Sequence, residues 1–322
     1  MTEQPIALLL PGQGSQHTGM ALDTYRGQPE FAAIVDEFLA LMSEEGVEPK
    51  RRWLSNDPET DLDDGRVAQP LIFAIEYAFA TVLIRSGANV VALLGHSVGE
   101  LAAATVAGVF DIRSAARIMG ARARALSLAP PGGMFAVAAT PDVIRRQLSA
   151  EWVRAGVTIA AVNGPRRTIV AGPDPEVRTA ESVLCDRGFA TISVPARQPW
   201  HSPCMTDAAR VFERSIAAER LREPTIPIWS GRTGLRLRAD EAIDPGFWAA
   251  QIMYPVLFWN ALSDLLGHRS STLIETGPGT GLSVQARTHP AVLEGRSTIA
   301  PMIQVTGQTA GQRQNLGSSG IG

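Results

Sequence analysis

Gly95-His96-Ser97-Val98-Gly99-Glu100 follows the apolar run Val90–Leu94 and precedes Leu101–Ala107, a stretch of good helix formers. A strand, a glycine-flanked serine and a helix form the layout of a nucleophile elbow. The chemistry needs that order. A sharp turn lifts the Ser97 hydroxyl clear of the sheet, and the flanking glycines remove side chains that would clash where the chain folds back. The helix behind Ser97 points its N-terminus at the site, where a developing oxyanion is stabilised. A structural serine in a glycine turn is the plain alternative.

A serine nucleophile requires a base. His96 adjoins Ser97, but neighbouring side chains on an elbow diverge. His201, in Gln198-Pro199-Trp200-His201-Ser202-Pro203, is the better candidate, although alone it reads equally well as a loop histidine. The five histidines are scattered, with no His-x-x-x-His or Cys-x-x-Cys pair, so no metal site is expected. The stretch 112–128 carries Arg113, Arg117, Arg122 and Arg124, which read as solvated helix charges.

The elements that must position these residues follow from the pattern of apolar runs and breakers. Ile6–Leu10 reads as a buried strand, followed by the Gly-rich loop Pro11-Gly12-Gln13-Gly14-Ser15-Gln16. Helices are expected at Pro29–Glu44, Leu71–Ser86 (opened by Pro70 in its first turn) and Ile112–Leu128. Pro130-Pro131-Gly132-Gly133 suggests a lobe boundary. Beyond it, a strand (134–139), helix (141–155), strands (157–162 and 168–172), helix (174–187) and strand (190–194) make the β-α-β-β-α-β order of a ferredoxin-like lobe. The chain then returns through a helix at 205–219, a strand at 226–230, a helix at 247–266 and a strand at 272–275. Thr306–Gly322, rich in Gly, Gln and Ser, reads as a flexible tail or linker remnant.

Composition narrows the class. The chain has 322 residues, 45% of them hydrophobic, a net charge of −3 and two cysteines. That is ample for a large core and for more than one lobe. No basic block suggests a nucleic-acid partner. Two cysteines make no disulfide framework and fit a reducing, cytoplasmic setting. The N-terminus lacks a signal pattern, and no membrane span is expected.

Six motifs occur in order: Pro11–Gln16, Gly95–Glu100, Arg122 placed 25 residues after Ser97, Ala161-Val162-Asn163-Gly164-Pro165, His201-Ser202-Pro203 and Glu275-Thr276-Gly277-Pro278-Gly279. Together they resemble malonyl-CoA:acyl-carrier-protein transacylases and the acyltransferase domains of polyketide synthases, over roughly residues 5–303. The resemblance implies an α/β fold: an α/β-hydrolase-like large subdomain (1–129 and 199–303) with an inserted ferredoxin-like small subdomain (130–198), then a tail (304–322). It implies Ser97 as nucleophile and His201 as base. The backbone N–H groups of Gln13 and Val98 would form the oxyanion hole, and the backbone carbonyl of Gln251 would orient His201. It implies that Arg122 grips the free carboxylate of a malonyl-type acyl group, with Asn163, Gln198 and Trp200 near the substrate. No bound cofactor is implied. The substrates would be an acyl-CoA or acyl-phosphopantetheine thioester, the partner an acyl carrier protein, and no nucleic acid or membrane would be involved. A chain of this size with no attached ketosynthase pattern is expected to be a discrete, trans-acting enzyme, although the tail also permits an excised domain.

The segment before the base departs from the family. Polyketide acyltransferases usually carry His-Ala-Phe-His or Tyr-Ala-Ser-His where this chain has Gln198-Pro199-Trp200-His201. Trp200 could narrow the space beside the acyl α-carbon, favouring an unbranched malonyl unit, or pack in the lobe interface. Arg197 is open between an anion contact and a surface charge. A carrier-to-carrier transferase for a larger acyl or aminoacyl group, and an acyl hydrolase of the same fold, are the competing activities.

Overall fold

A computed structural model describes residues 4–55, 62 and 64–302; the expected tail at 304–322 lies outside the described residues. Two sheets organise the chain. The first is five-stranded and parallel, built from β1 (Ile6–Leu10), β2 (Val90–Gly95), β7 (Ile228–Trp229), β8 (Thr272–Glu275) and β9 (Thr298–Ala300) in the order β7-β2-β1-β8-β9. The second is four-stranded and antiparallel, built from β3 (Gly132–Val137), β4 (Thr158–Gly164), β5 (Arg167–Pro173) and β6 (Thr191–Val194) in the order β4-β5-β3-β6. That order, with helices in the β3–β4 and β5–β6 connections, is the ferredoxin-like arrangement read from the sequence.

Continuous apolar runs make β1 and β2 central strands, covered on both faces. Ala7 to Leu10 and Leu93 and Leu94 are fully buried. Helix Val98–Val106 packs against them, and helix Gly65–Arg85 packs against it and against helix Pro29–Glu44, in one apolar core with Leu8, Leu10 and Leu93. By length and composition alone helix Gly65–Arg85 could cross a membrane, but most of its surface is buried within the protein.

The structure corrects three expected boundaries. Helix Gly65–Arg85 begins six residues before Leu71, because the Asp64 side chain accepts the Arg66 N–H and caps the helix there. Pro70 is therefore interior, close enough to the start that it removes only an early helical bond. The helix expected at 141–155 is two, Pro141–Gln147 and Ala150–Ala155, because Ser149 starts a new helix by capping Trp152 N–H. The helix expected at 247–266 is also two, Pro245–Ala250 and Phe258–His268. Pro255 cannot continue a helix and biases Tyr254 away from helical backbone. The intervening loop instead bridges to the second sheet, with Val162 N–H donating to Val256 O and Val256 N–H to Ala160 O.

Candidate active site

Leu10, the last residue of β1, lies in register beside Gly95, the last of β2. The Gly12–Ser15 loop and the Ser97 turn therefore emerge side by side at the carboxyl edge of the parallel sheet, where ligands of open α/β sheets bind. The turn is tight. A β-carbon on Gly95 would lie 2.3 Å from the Glu100 backbone, and one on Gly99 would lie 2.1 Å from the Leu10 carbonyl oxygen. Both approaches are closer than packing tolerates, which is the physical content of the two elbow glycines. Ser97 itself takes φ 54° and ψ −120°, a strained conformation for a residue with a β-carbon.

His201 also sits at positive φ, 59°. Its Nε2 lies 2.8 Å from Ser97 Oγ. Its Nδ1 lies 2.9 Å from two backbone carbonyls, those of Gln251 and Tyr254. Carbonyls only accept, so Nδ1 carries the ring proton, and Nε2 presents its lone pair to the serine hydroxyl. The broken helix makes this possible: carbonyls past a helix C-terminus lack intrahelical partners and are open to a side-chain donor. Burial, with the charges of His96 and Arg122, pushes the His201 pKa down to about 3. The ring is a neutral acceptor throughout the ordinary pH range.

His96 points away from the serine hydroxyl. Its Nε2 meets Asn163 Oδ1 at 2.8 Å, and its ring rests 6.0 Å from that of Phe258. Burial lowers its pKa as well. Asn163 thus fixes His96 from the small lobe and lines the cavity.

Arg122 differs from its helix neighbours. Arg113, Arg117 and Arg124 are exposed, whereas Arg122 is 1% exposed. Its Nε donates to Gln69 Oε1 at 2.6 Å and its Nη1 to Gln251 Oε1 at 3.3 Å, and Nη2 is buried with no partner. Among the described residues it makes no ion pair. Burial pushes its pKa down to about 9, which leaves it cationic at neutral pH. A buried cation without a counter-anion is costly, and its unfilled donor fits an anionic ligand.

The cavity between the two sheets holds about 410 Å³. Gln13, Ser97, His201 and Glu275 face it from the large lobe, and Met134, Ile169 and Val194 from the small lobe. Trp200 is 3% exposed, and its ring both lines the cavity and lies 5.0 Å from the Arg122 guanidinium. Gln69 is the other wall residue in contact with Arg122, and it also donates to Gln13 Oε1 at 2.9 Å. Trp200 and Gln69 both line the cavity and contact Arg122, which is not itself a lining residue. Gln198 is not a lining residue either, and its buried Oε1 has no partner. Arg197 is exposed. The Val98 side chain is in the core, with its peptide nitrogen opening the helix behind Ser97.

Sequence reasoning missed Gln69, the Tyr254 carbonyl and the place of Glu100. A glutamine just ahead of Pro70, in a largely apolar buried helix, was the available signal for Gln69. Glu100 is 1% exposed, and burial raises its pKa to about 7 against hydrogen bonds from Ser230 and Gln251 and the charge of Arg232.

Residues 8–304 match the family model described as acyl transferase domain. Over 289 residues the chain is 35% identical to a component of the phenolphthiocerol/phthiocerol polyketide synthase of Mycobacterium tuberculosis, covering 90% of this chain and 19% of that protein. It thus spans about a fifth of the length of that relative. The acyltransferase domain from the second module of the salinomycin polyketide synthase superposes with a TM-score of 0.83 at 31% identity, covering 93% of this chain and 69% of the other. The loading acyltransferase of the avermectin synthase gives 0.83 at 29% identity, covering 92% and 93%. Malonyl-CoA:acyl carrier protein transacylase from Xanthomonas oryzae pv. oryzae gives 0.80 at 26% identity, covering 94% and 95%.

Proposed function

This chain belongs to the acyl transferase domain family, and from that premise we propose that it moves a malonyl-type acyl unit, through an ester on Ser97, to the phosphopantetheine thiol of an acyl carrier protein. The observation that carries the covalent step is the 2.8 Å contact between Ser97 Oγ and a His201 Nε2 whose tautomer is fixed by two carbonyls.

Ser97 Oγ attacks the thioester carbonyl carbon while its proton passes to His201 Nε2. The tetrahedral oxyanion forms beside the peptide N–H groups of Val98, at the helix N-terminus, and Gln13, on the neighbouring loop. The carbon–sulfur bond breaks, and the leaving thiolate takes the proton from Nε2. The carrier thiol then enters by the reverse sequence: it gives its proton to Nε2, attacks the ester carbonyl, and Ser97 Oγ departs with that proton. Asn163 keeps His96 off the serine.

The buried Arg122 guanidinium, with no counter-anion among the described residues, supports a carboxylated acyl group. Loading with malonyl-CoA and with acetyl-CoA, followed by intact mass, tests this. Arg122→Ala should lose malonyl loading and gain acetyl loading relative to it. An unchanged preference overturns the carboxylate assignment. One observation favours a second reading, a carrier-to-carrier transferase for a larger acyl or aminoacyl group: Trp200 and Gln69 line the cavity beside Arg122, which does not. Failure of the wild type to load any small unit would favour that reading.

A further inference from the structure

The family resemblance gives Gln251 a role through its backbone carbonyl alone, yet its side chain makes three contacts within the site. Its Nε2 donates to the Ser97 carbonyl oxygen at 2.5 Å and reaches Glu100 Oε2 at 3.4 Å, and its Oε1 accepts from Arg122 Nη1 at 3.3 Å. The residue is 3% exposed. A fully buried carboxamide with both ends occupied is held in one orientation, since reversing it would set donor against donor at Arg122 and acceptor against acceptor at Ser97.

The Ser97 carbonyl belongs to the same peptide unit as the Val98 N–H. A donor on that carbonyl fixes the tilt of the peptide and polarises its N–H toward the oxyanion position. The Gln251 backbone carbonyl meanwhile receives the His201 ring proton. One residue thus touches the base, the oxyanion-side peptide and the guanidinium.

We propose that the Gln251 carboxamide is a positioning residue that couples capture of the acyl carboxylate at Arg122 to the alignment of His201 and the Val98 N–H. This rests on the carboxylate reading of Arg122. A carboxylate that grips the guanidinium holds Nη1 against Oε1. The restrained carboxamide then keeps its own carbonyl and the Ser97 peptide in the reactive geometry. An acyl group without the carboxylate leaves Nη2 without a partner, adds no restraint to the Nη1–Oε1 contact and gains nothing by this route.

The test is the rate constant for acylation of Ser97 at saturating donor, by rapid quench and intact mass, with malonyl-CoA and acetyl-CoA. The quantity read is the ratio of the two. Gln251→Met keeps the backbone carbonyl and the side-chain length and removes both polar ends. Its malonyl-over-acetyl ratio should fall by about tenfold or more. Gln251→Asn keeps an amide but retracts it by one methylene, and should fall by about threefold or more; this milder variant decides the matter if the methionine variant does not fold. In an Arg122→Ala background, Gln251→Met should leave the ratio within about twofold. A purely structural Gln251 would slow both donors alike, so a ratio unchanged in both single variants overturns the coupling while the carboxylate reading stands. An undiminished effect in the Arg122→Ala background overturns it too. A wild-type enzyme that loads the two donors equally overturns the carboxylate reading and the coupling together.

Discussion

Ser97, His201 and Arg122 were each singled out in the sequence, for different reasons, and the structure brings Ser97 and His201 into contact and buries Arg122. Ser97 announced itself by local sequence, because an elbow needs two glycines whose spacing is fixed by the close approach of β1 and the following helix. His201 and Arg122 were singled out through the family resemblance, since Ser97 and His201 lie 104 residues apart in the chain and meet only in the fold. Gln69 was not singled out, because its place beside Pro70 was read as the opening of a helix rather than as a polar residue inside a buried one. Two outcomes belong at this scale. With its pKa near 3, His201 is deprotonated well below neutrality, so acylation kcat/KM should be flat within about twofold from pH 5 to 8. Glu100 titrates near neutrality, so its contribution is removed by recording the profile in Glu100→Gln. An inflection near 6.5 in that variant would contradict a buried, neutral base. Trp200 lies on Arg122 and on the cavity wall, where an extra methyl meeting a rigid ring costs about 1–3 kcal/mol. Trp200→Ser should therefore raise methylmalonyl over malonyl kcat/KM by roughly 5- to 150-fold. A ratio held within twofold would mean that the ring does not bear on the acyl α-carbon.

Elements with strong periodicity, such as β1 and helix Pro29–Glu44, were readable to the residue. Breaks inside apolar stretches were not, because the hydrophobic pattern runs through them. The loop between Ala250 and Phe258 is the telling case: Pro255 was visible, but the pattern on either side continued in helical register. What the break achieves is tertiary. It frees the Gln251 and Tyr254 carbonyls for His201 and ties the loop to β4. The elbow carries the element-scale outcome. Gly99→Ala drives a methyl into the Leu10 carbonyl, against backbone that has no room to yield. Unfolding in urea should show a loss of about 2 kcal/mol or more. Stability within about 0.5 kcal/mol of wild type would show that β1 and the helix can separate at little cost.

Across the described residues, two sheets of different construction enclose this cavity, and Ser97 and His201 belong to the larger lobe while much of the apolar wall belongs to the smaller. The ferredoxin-like order was readable because its strands are short, regular and separated by recognisable turns. How the two sheets face one another was not, since residues more than 50 apart in the chain set it, as in the His96–Asn163 bond. Buried acids add a global pH dependence. Glu100 has its folded pKa raised from 4.5 to about 7, so its protonation stabilises the fold fully below pH 4.5 and that contribution is lost as the pH rises through 7. Relative to wild type, Glu100→Gln should gain on the order of 3 kcal/mol between pH 4.5 and 8 in urea titrations. A constant difference between the two proteins would place a normal carboxylate at that position.

The covalent role of Ser97 is tested most directly by intact mass of the protein after mixing with malonyl-CoA, alone and then with phosphopantetheinylated carrier protein. The expected result is a single malonyl adduct that maps to Ser97, is discharged on adding the carrier and is absent from Ser97→Ala. An adduct that survives in Ser97→Ala would contradict transfer through a Ser97 ester.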